Sequence, residues 1–499
     1  MKLKGINTRL TVLISALAVA SMLLFSCSPR EINPQLEYST YLGSSGKDGA
    51  NNWLKYFSID QSGSVYFATS AYTDDFPVTD QAYDKTYNGG NRWGEEDLVI
   101  IEFNIEDNAL KYASYLGGKN GPEFVSQVLR KGNSLYLAGN TASSDFPITT
   151  NAFDSTFNGP DFRHSDAYIT RFEGNKLAYS SYIGTSGTDW AQKIFVNDKN
   201  EVTLVGLFKV FNELPNVHSF MEDEEGRQGY TGIIRLNAKG DVILSSTKLA
   251  PSWNLDACTD EDGNIYIAAQ TPSENAPTTP GAYDTSFNGG DKNYGGDILI
   301  TKLNPTGDKI LFSTYLGGAN HERAPSICLD KDNNILVFGR TQSEDFPLSA
   351  DAIDKSFDGK SELFLSKLSN DGKQLLYSSY LGGNRGEINA NITVSKNGDV
   401  FLCGVTSSED FPITKNALQD TINGSGDVFI TVFDPSLKTL KFSTFLGGSK
   451  TESARIKVDN DGHIIGVGYT SSPDFITTAK AYSTVLNGES DAIIFKISL

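Results

Sequence analysis

The chain has 499 residues and a formal net charge of −19, a balance that argues against nucleic acid or an anionic membrane face as its partner. Long acidic runs are absent, so the charge reads as a solvated globular surface and not as a disordered tail. The 29 Phe and 22 Tyr far outnumber the 3 Met, and nothing beyond the N-terminus sustains a helical period, which excludes an α-helical body and predicts an all-β protein.

At the N-terminus Lys2, Lys4 and Arg9 precede an apolar run from Leu10 to Phe25, too short to span a bilayer comfortably. The tetrad Leu24-Phe25-Ser26-Cys27 resembles a bacterial lipobox, with Phe an uncommon second residue. That resemblance implies a lipoprotein signal peptide over 1–26 and a lipidated Cys27. Ser28 in place of Asp would favour the outer membrane or cell surface. An ordinary cleaved signal peptide with a chance cysteine is the competing reading. Residues 28–35 are polar with two prolines and complete a tether over 27–35. The expected membrane contact is this anchor alone.

From residue 36 onward one strand recurs: LEYSTYLGS at Leu36, then related copies beginning at Leu110, Leu177, Val242 (worn), Ile310, Leu375 and Leu440. Seven copies, starting 65 to 74 residues apart, make 36–499 one repeat array. The fifth unit shows the pattern. Pro325–Leu329 reads as a strand, Asp330–Asn334 turns, and Ile335–Gly339 runs back. A long segment with Asp345-Phe346-Pro347 and Asp358-Gly359 follows, then a third strand (Leu363–Leu368), an Asn370-Asp371-Gly372 turn and a fourth (Leu375–Leu381). Four antiparallel strands repeated seven times predict a seven-bladed β-propeller.

The Tyr-Ser-Thr-Tyr-Leu-Gly-Gly strand, the Asp-x-x-Gly-Asn hairpin, the Asp-Phe-Pro loop and the Asp-Ala opening of the third strand resemble the SBBP (seven-bladed β-propeller) repeat of bacterial cell-surface proteins. The resemblance covers essentially all of 36–499 and implies the fold. It implies no particular chemistry. The array opens on a fourth strand and ends on a third, Asp491–Lys496, so pairing Leu36–Gly43 beside it would close the ring. Long, variable connections all fall on one face, where binding usually resides.

Cys258, Cys328 and Cys403 read as free cysteines packed as small hydrophobes, with a Cys258–Cys328 disulfide the sharper alternative. The Asp-rich turns at Asp260, Asp330 and Asp459 lack the twelfth-position Glu of a calcium loop, having Thr271, Thr341 and Thr470 there, so no metal is expected. Acids open most third strands (Asp97, Asp166, Asp297, Glu362, Asp427, Asp491), and each should accept N–H groups of its own blade's loop. The Phe of each Asp-Phe-Pro triplet should plug the gap between blades.

The column seven residues before each first hairpin turn varies instead: Trp53, Glu123, Trp190, Trp253, Arg323, Ile388 and Glu452. A rim of Trp53, Glu123, Trp190, Trp253, Arg323 and Glu452 at the channel mouth could hold a sugar or a partner protein. Packing of each Trp on a neighbouring blade is the competing account. The four His are scattered, and no nucleophile, zinc or phosphate-loop motif occurs; His321-Glu322-Arg323 is the one polar cluster near the mouth. The expectation is a monomeric binding or scaffold module for a protein or glycan, not an enzyme, needing no cofactor. The alternative is a polysaccharide-active lyase or hydrolase using Glu123, Glu322 and Glu452 on the long-loop face.

Overall fold

Alternation of Tyr, Phe and Leu with Ser and Thr gives each repeat strand a mainly apolar face and a small hydroxyl-bearing one, and packing on both sides buries both: the last five residues of Ala109–Leu116, Lys176–Ile183 and Leu375–Leu381 are all buried. The computed structural model describes residues 32–49, 54–89, 96–159, 164–224, 229–290 and 295–499. Cys27 and the whole signal segment lie outside them. Within Pro34–Leu499 the strands form seven sheets, six of four strands and one of five. Blade two is typical, running Glu123–Lys131, Ser134–Thr141, Asp166–Glu173 and Lys176–Ile183 in antiparallel order. Blades four, five and six repeat it from Leu255, Glu322 and Glu387.

The predicted closure is present. Gln35–Leu42 pairs antiparallel with Asp491–Ser498, so the N-terminal strand completes blade seven behind Glu452–Val458 and Ile464–Thr470. Blade three departs from the pattern: Val217–Ser219 adds a short parallel strand at its outer edge.

The repeat motif ties each outer strand to the long loop of its own blade. Tyr41, Tyr115, Tyr182, Tyr315 and Tyr380 are buried, and their hydroxyls donate to the carbonyls of Ser472, Thr73, Ser143, Ser273 and Ser343 at 2.7 to 2.9 Å. The Asp-Phe-Pro phenylalanines stack inside their own blades and not between them: Phe146 on Tyr168, Phe346 on Phe364 and Phe411 on Phe429, at 4.4 to 4.6 Å between centroids. First strands are innermost and touch one another around the axis. Ser58 Oγ donates to the Val128 carbonyl, Ile194 N to Gln127 Oε1 and Ile327 N to Asp256 Oδ2, while Asn391 exchanges two bonds with Ile456. The three cysteines after residue 200 are free.

Candidate functional site

Short turns join first to second and third to fourth strands, as in Lys131 to Ser134 and Glu173 to Lys176. The long connections therefore gather on the opposite face. The residues expected to rim the mouth there do not form one column. Trp53 lies outside the described residues. Glu123 and Glu452 open their first strands and are fully buried, so they belong to the blade junctions and not to an exposed rim. Trp190 and Arg323 stand one residue further along, after Asp189 and Glu322, and are half-buried. Trp253 sits in the connection before Leu255–Thr259, half-buried, its N–H donating to the Gln270 carbonyl.

The buried acids build a repeated structure that sequence reading saw only in part. Third-strand acids do accept their own loop's amides: Asn88 N donates to Asp97 Oδ2 at 2.6 Å, Asn288 N to Asp297 Oδ2 at 2.8 Å and Asn487 N to Asp491 Oδ2 at 2.9 Å. Each also faces an acid at or before the first strand of the next blade, across the glycine that ends the fourth strand. Asp97 and Glu123 meet over Gly117, Asp297 and Glu322 over Gly317, Glu362 and Glu387 over Gly382, and Asp491 and Asp48 over Gly43. A Cβ on any of these glycines would strike a carboxylate. Thr and Ser hydroxyls hold the far oxygens, as Thr341 and Ser343 hold Glu322 Oε1 at 2.7 and 2.8 Å. Asp97 Oδ1 and Glu123 Oε2 are buried with no donor. Burial pushes Asp97 up to about 6, Asp297 to about 7 and Glu322 to about 8; Asp297 adds to the shift of Glu322, while Asp84 and Asp284 add to those of Asp97 and Asp297. Only the junction of blades three and four lacks the pair. Tyr230 opens the third strand there, Thr231 Oγ1 bonds Ser252 Oγ at 2.6 Å, and Ala250 replaces the glycine. Glu322, so enclosed, is not presented for acid/base work beside His321 and Arg323.

A cleft of about 250 Å³ opens between blades two and three. Trp190 and Phe124 supply its aromatic wall, and Asn140, His164, Gln192 and Lys55 its polar groups. Ser165 Oγ fixes the indole by accepting from Trp190 Nε1 at 3.0 Å, and it also accepts from Asn140 Nδ2 at 3.3 Å. Lys55 enters from blade one. Its ammonium donates to Gln192 Oε1 and to the Leu255 carbonyl at 3.1 Å, so it reaches across the axis to blade four. Burial pushes this lysine down to about 8, within reach of neutrality at mildly alkaline pH. Of the predicted rim residues that the structure describes, only Trp190 is in this cleft.

Close to Lys55, the innermost strands bring together Tyr56, Lys193, Asp256, Arg455 and Lys457, drawn from blades one, three, four and seven. Sequence reading did not find this group; its members are up to 400 residues apart and have no shared spacing. Asp459, Asp461 and His463 also lie close together in a hairpin. Asp459 Oδ1 there accepts the amides of Asp461 and His463, both at 2.9 Å, which accounts for the cluster as a turn.

No family model and no curated protein matches the chain. Solved structures do. An uncharacterised protein of Dyadobacter fermentans DSM 18053 matches at 8% identity and a TM-score of 0.42, covering 94% of this chain and 99% of that one. The polysaccharide lyase Uly1 matches at 8% and 0.48, covering 92% of each chain. The endosialidase of phage phi92 matches at 8% and 0.42, covering 94% of this chain and 69% of that one. At these identities the likeness extends to architecture alone. One expectation is corrected on physical grounds: a propeller hosts enzymes and binding modules alike, so the lack of a familiar motif does not set this chain apart from enzymes, and the reading of it as a non-enzyme falls.

Proposed function

We propose that this chain is an exported, lipid-anchored propeller that acts on polysaccharide, with the cleft between blades two and three as its site. The observation that carries this reading is the combination of Trp190, fixed edge-on by Ser165, with a partly desolvated lysine in one cleft. An indole face is suited to a sugar ring, and a lysine lowered to about 8 can serve as a base.

Elimination fits these groups better than hydrolysis. Hydrolysis in its usual form needs two exposed carboxylates flanking the scissile bond. Glu123, Glu322 and Glu452 are buried and held by Thr141, Thr341 and Thr470. In the elimination, Lys55 Nζ takes the proton next to a uronate carboxylate, the C–O bond to the leaving sugar breaks, and His164 lies along the same wall to protonate the departing oxygen. The purified chain should therefore cleave a uronic-acid polymer, read by the ultraviolet absorbance of the unsaturated product. Trp190→Ala should lower kcat/KM at least tenfold, ~1.4 kcal/mol, with little loss of stability, and Lys55→Ala should abolish turnover. No product from any uronic-acid polymer, or full activity in Lys55→Ala, would remove the reading.

The anchor is a separate element of the proposal and rests on the tetrad ending at Cys27. Cys27→Ala should move the expressed protein from the detergent phase to the aqueous phase, or stall its processing. Unchanged partitioning would show that Cys27 carries no lipid.

A further inference from the structure

The axial channel of this acidic chain is lined with cations. Arg455 and Lys457 stand two residues apart on Glu452–Val458, alternating with buried Ala454 and Ile456, and so share the face of the strand that meets Tyr56 and Phe57 of blade one. Lys193, on Trp190–Val196 of blade three, faces them with its ammonium over the ring of Tyr56. Lys457 lies over Phe57 at 5.9 Å. Asp256 is the one carboxylate near Lys193. It is already engaged, accepting from Ser326 Oγ at 3.1 Å and Ile327 N at 2.9 Å. Among the described residues, neither Lys193 nor Lys457 forms an ion pair, and Arg455 Nε is buried with no acceptor.

Ring construction does not require this charge. At the same level the inner strands are joined mostly by neutral side chains, Gln127, Ser326 and Asn391 bonding the next blade's backbone as Asp256 does in blade four. Lys193, Arg455 and Lys457 have the single carboxylate of Asp256 set against them, and the excess of positive charge repels itself and costs stability. Desolvation has already pushed Lys193 and Lys457 down to about 8. Arg455 Nη1 donates to the Ala454 carbonyl at 3.1 Å, and its remaining N–H groups with the two ammoniums are the kind of donors a planar or tetrahedral oxyanion takes. We infer that the channel binds an oxyanion, a carboxylate or a sulfate group, between Lys193, Arg455 and Lys457. The inference holds whether or not the cleft above is catalytic.

Isothermal titration and thermal melts of the full-length protein test it, using sodium sulfate and sodium glucuronate against sodium chloride at equal ionic strength. One or both oxyanions should bind with a stoichiometry of one and raise Tm, while chloride does not. Response to sulfate alone or glucuronate alone would identify which group the channel takes. The Lys193→Met/Lys457→Met double variant should bind at least tenfold more weakly. Arg455→Lys, which keeps the charge and loses the fork, should bind severalfold more weakly and covers the case in which the double variant does not fold. No difference between the oxyanions and chloride, or affinity unchanged in Arg455→Lys and in a folded double variant, would overturn the assignment.

Discussion

A chain lacking residues 36–43 is expected to melt far below the intact protein and to self-associate. The reason is what that strand covers. Its register against the last strand runs from Gln35 opposite Ser498 to Leu42 opposite Ala492, so its loss bares the edge of Asp491–Ser498 along its whole length. Tyr41 and Leu42 are fully buried, and Tyr38 nearly so. Three such side chains contribute roughly 1.5–3 kcal/mol each. The polar ties go with them: Tyr41 Oη donates to the Ser472 carbonyl at 2.8 Å, Ser39 Oγ to the Ile476 carbonyl at 2.6 Å, and Ser483 N to Thr40 Oγ1 at 2.9 Å. Together these rival the ~5–15 kcal/mol that separates a folded domain from its unfolded chain. The exposed edge, carrying Ile493 and Phe495, is then open to pairing with another copy. Light scattering and a melt on the truncated chain provide the check. A monomer with an unchanged Tm would show that the ring stands without its closing strand.

The ring was legible because a period-two strand repeated seven times leaves few other folds, and an orphan fourth strand with a missing partner told where it closes. The rim was misread for a specific physical reason. First strands differ between blades in their bulges and in the length of the hairpin turn, so counting back from the hairpin mixed two registers, the buried acid at Glu123 and Glu452 with its outward neighbour at Trp190 and Arg323. A bulge inside several first strands, such as that between Ala191 and Lys193, widens the error. The acids of the third strands were assigned correctly to their own loops, but their partners across the junction were not seen. A signal existed. The one unit whose third strand opens on Tyr230 also has Ala250 where the others keep glycine, and that covariation marks a contact. The channel cations had no such signal, since single lysines on separate strands look like solvated faces until the ring brings them to one axis.

Those junctions lead to the second large effect: the protein should lose stability as pH rises from about 5 to about 8.5. Buried carboxyls whose folded pKa exceeds the unfolded value near 4 hold protons in the native state that the unfolded chain has already released. Burial pushes Asp491 up to about 6, Asp48 and Asp166 to about 7, Glu362 to about 7 and Glu322 to about 8. With more protons bound in the folded state, the slope of unfolding free energy against pH is negative through this window, ~1.4 kcal/mol per pH unit for each proton retained. The contribution is fully present below the unfolded value and is lost as pH climbs through the folded ones. Acids with the opposite shift, such as Asp330, lowered when its bonds from Lys367 and Asn334 outweigh burial, act only nearer pH 4 and below. A drop in Tm on the order of 10 °C between pH 5.5 and 8.5 is expected. Asp297→Asn with Glu322→Gln should flatten that slope by roughly one junction's share. The corresponding change at the neutral junction, Ser252→Ala, should leave it unaltered. A Tm that stays level or rises across this range would mean that the paired carboxyls are not sharing protons in the folded ring.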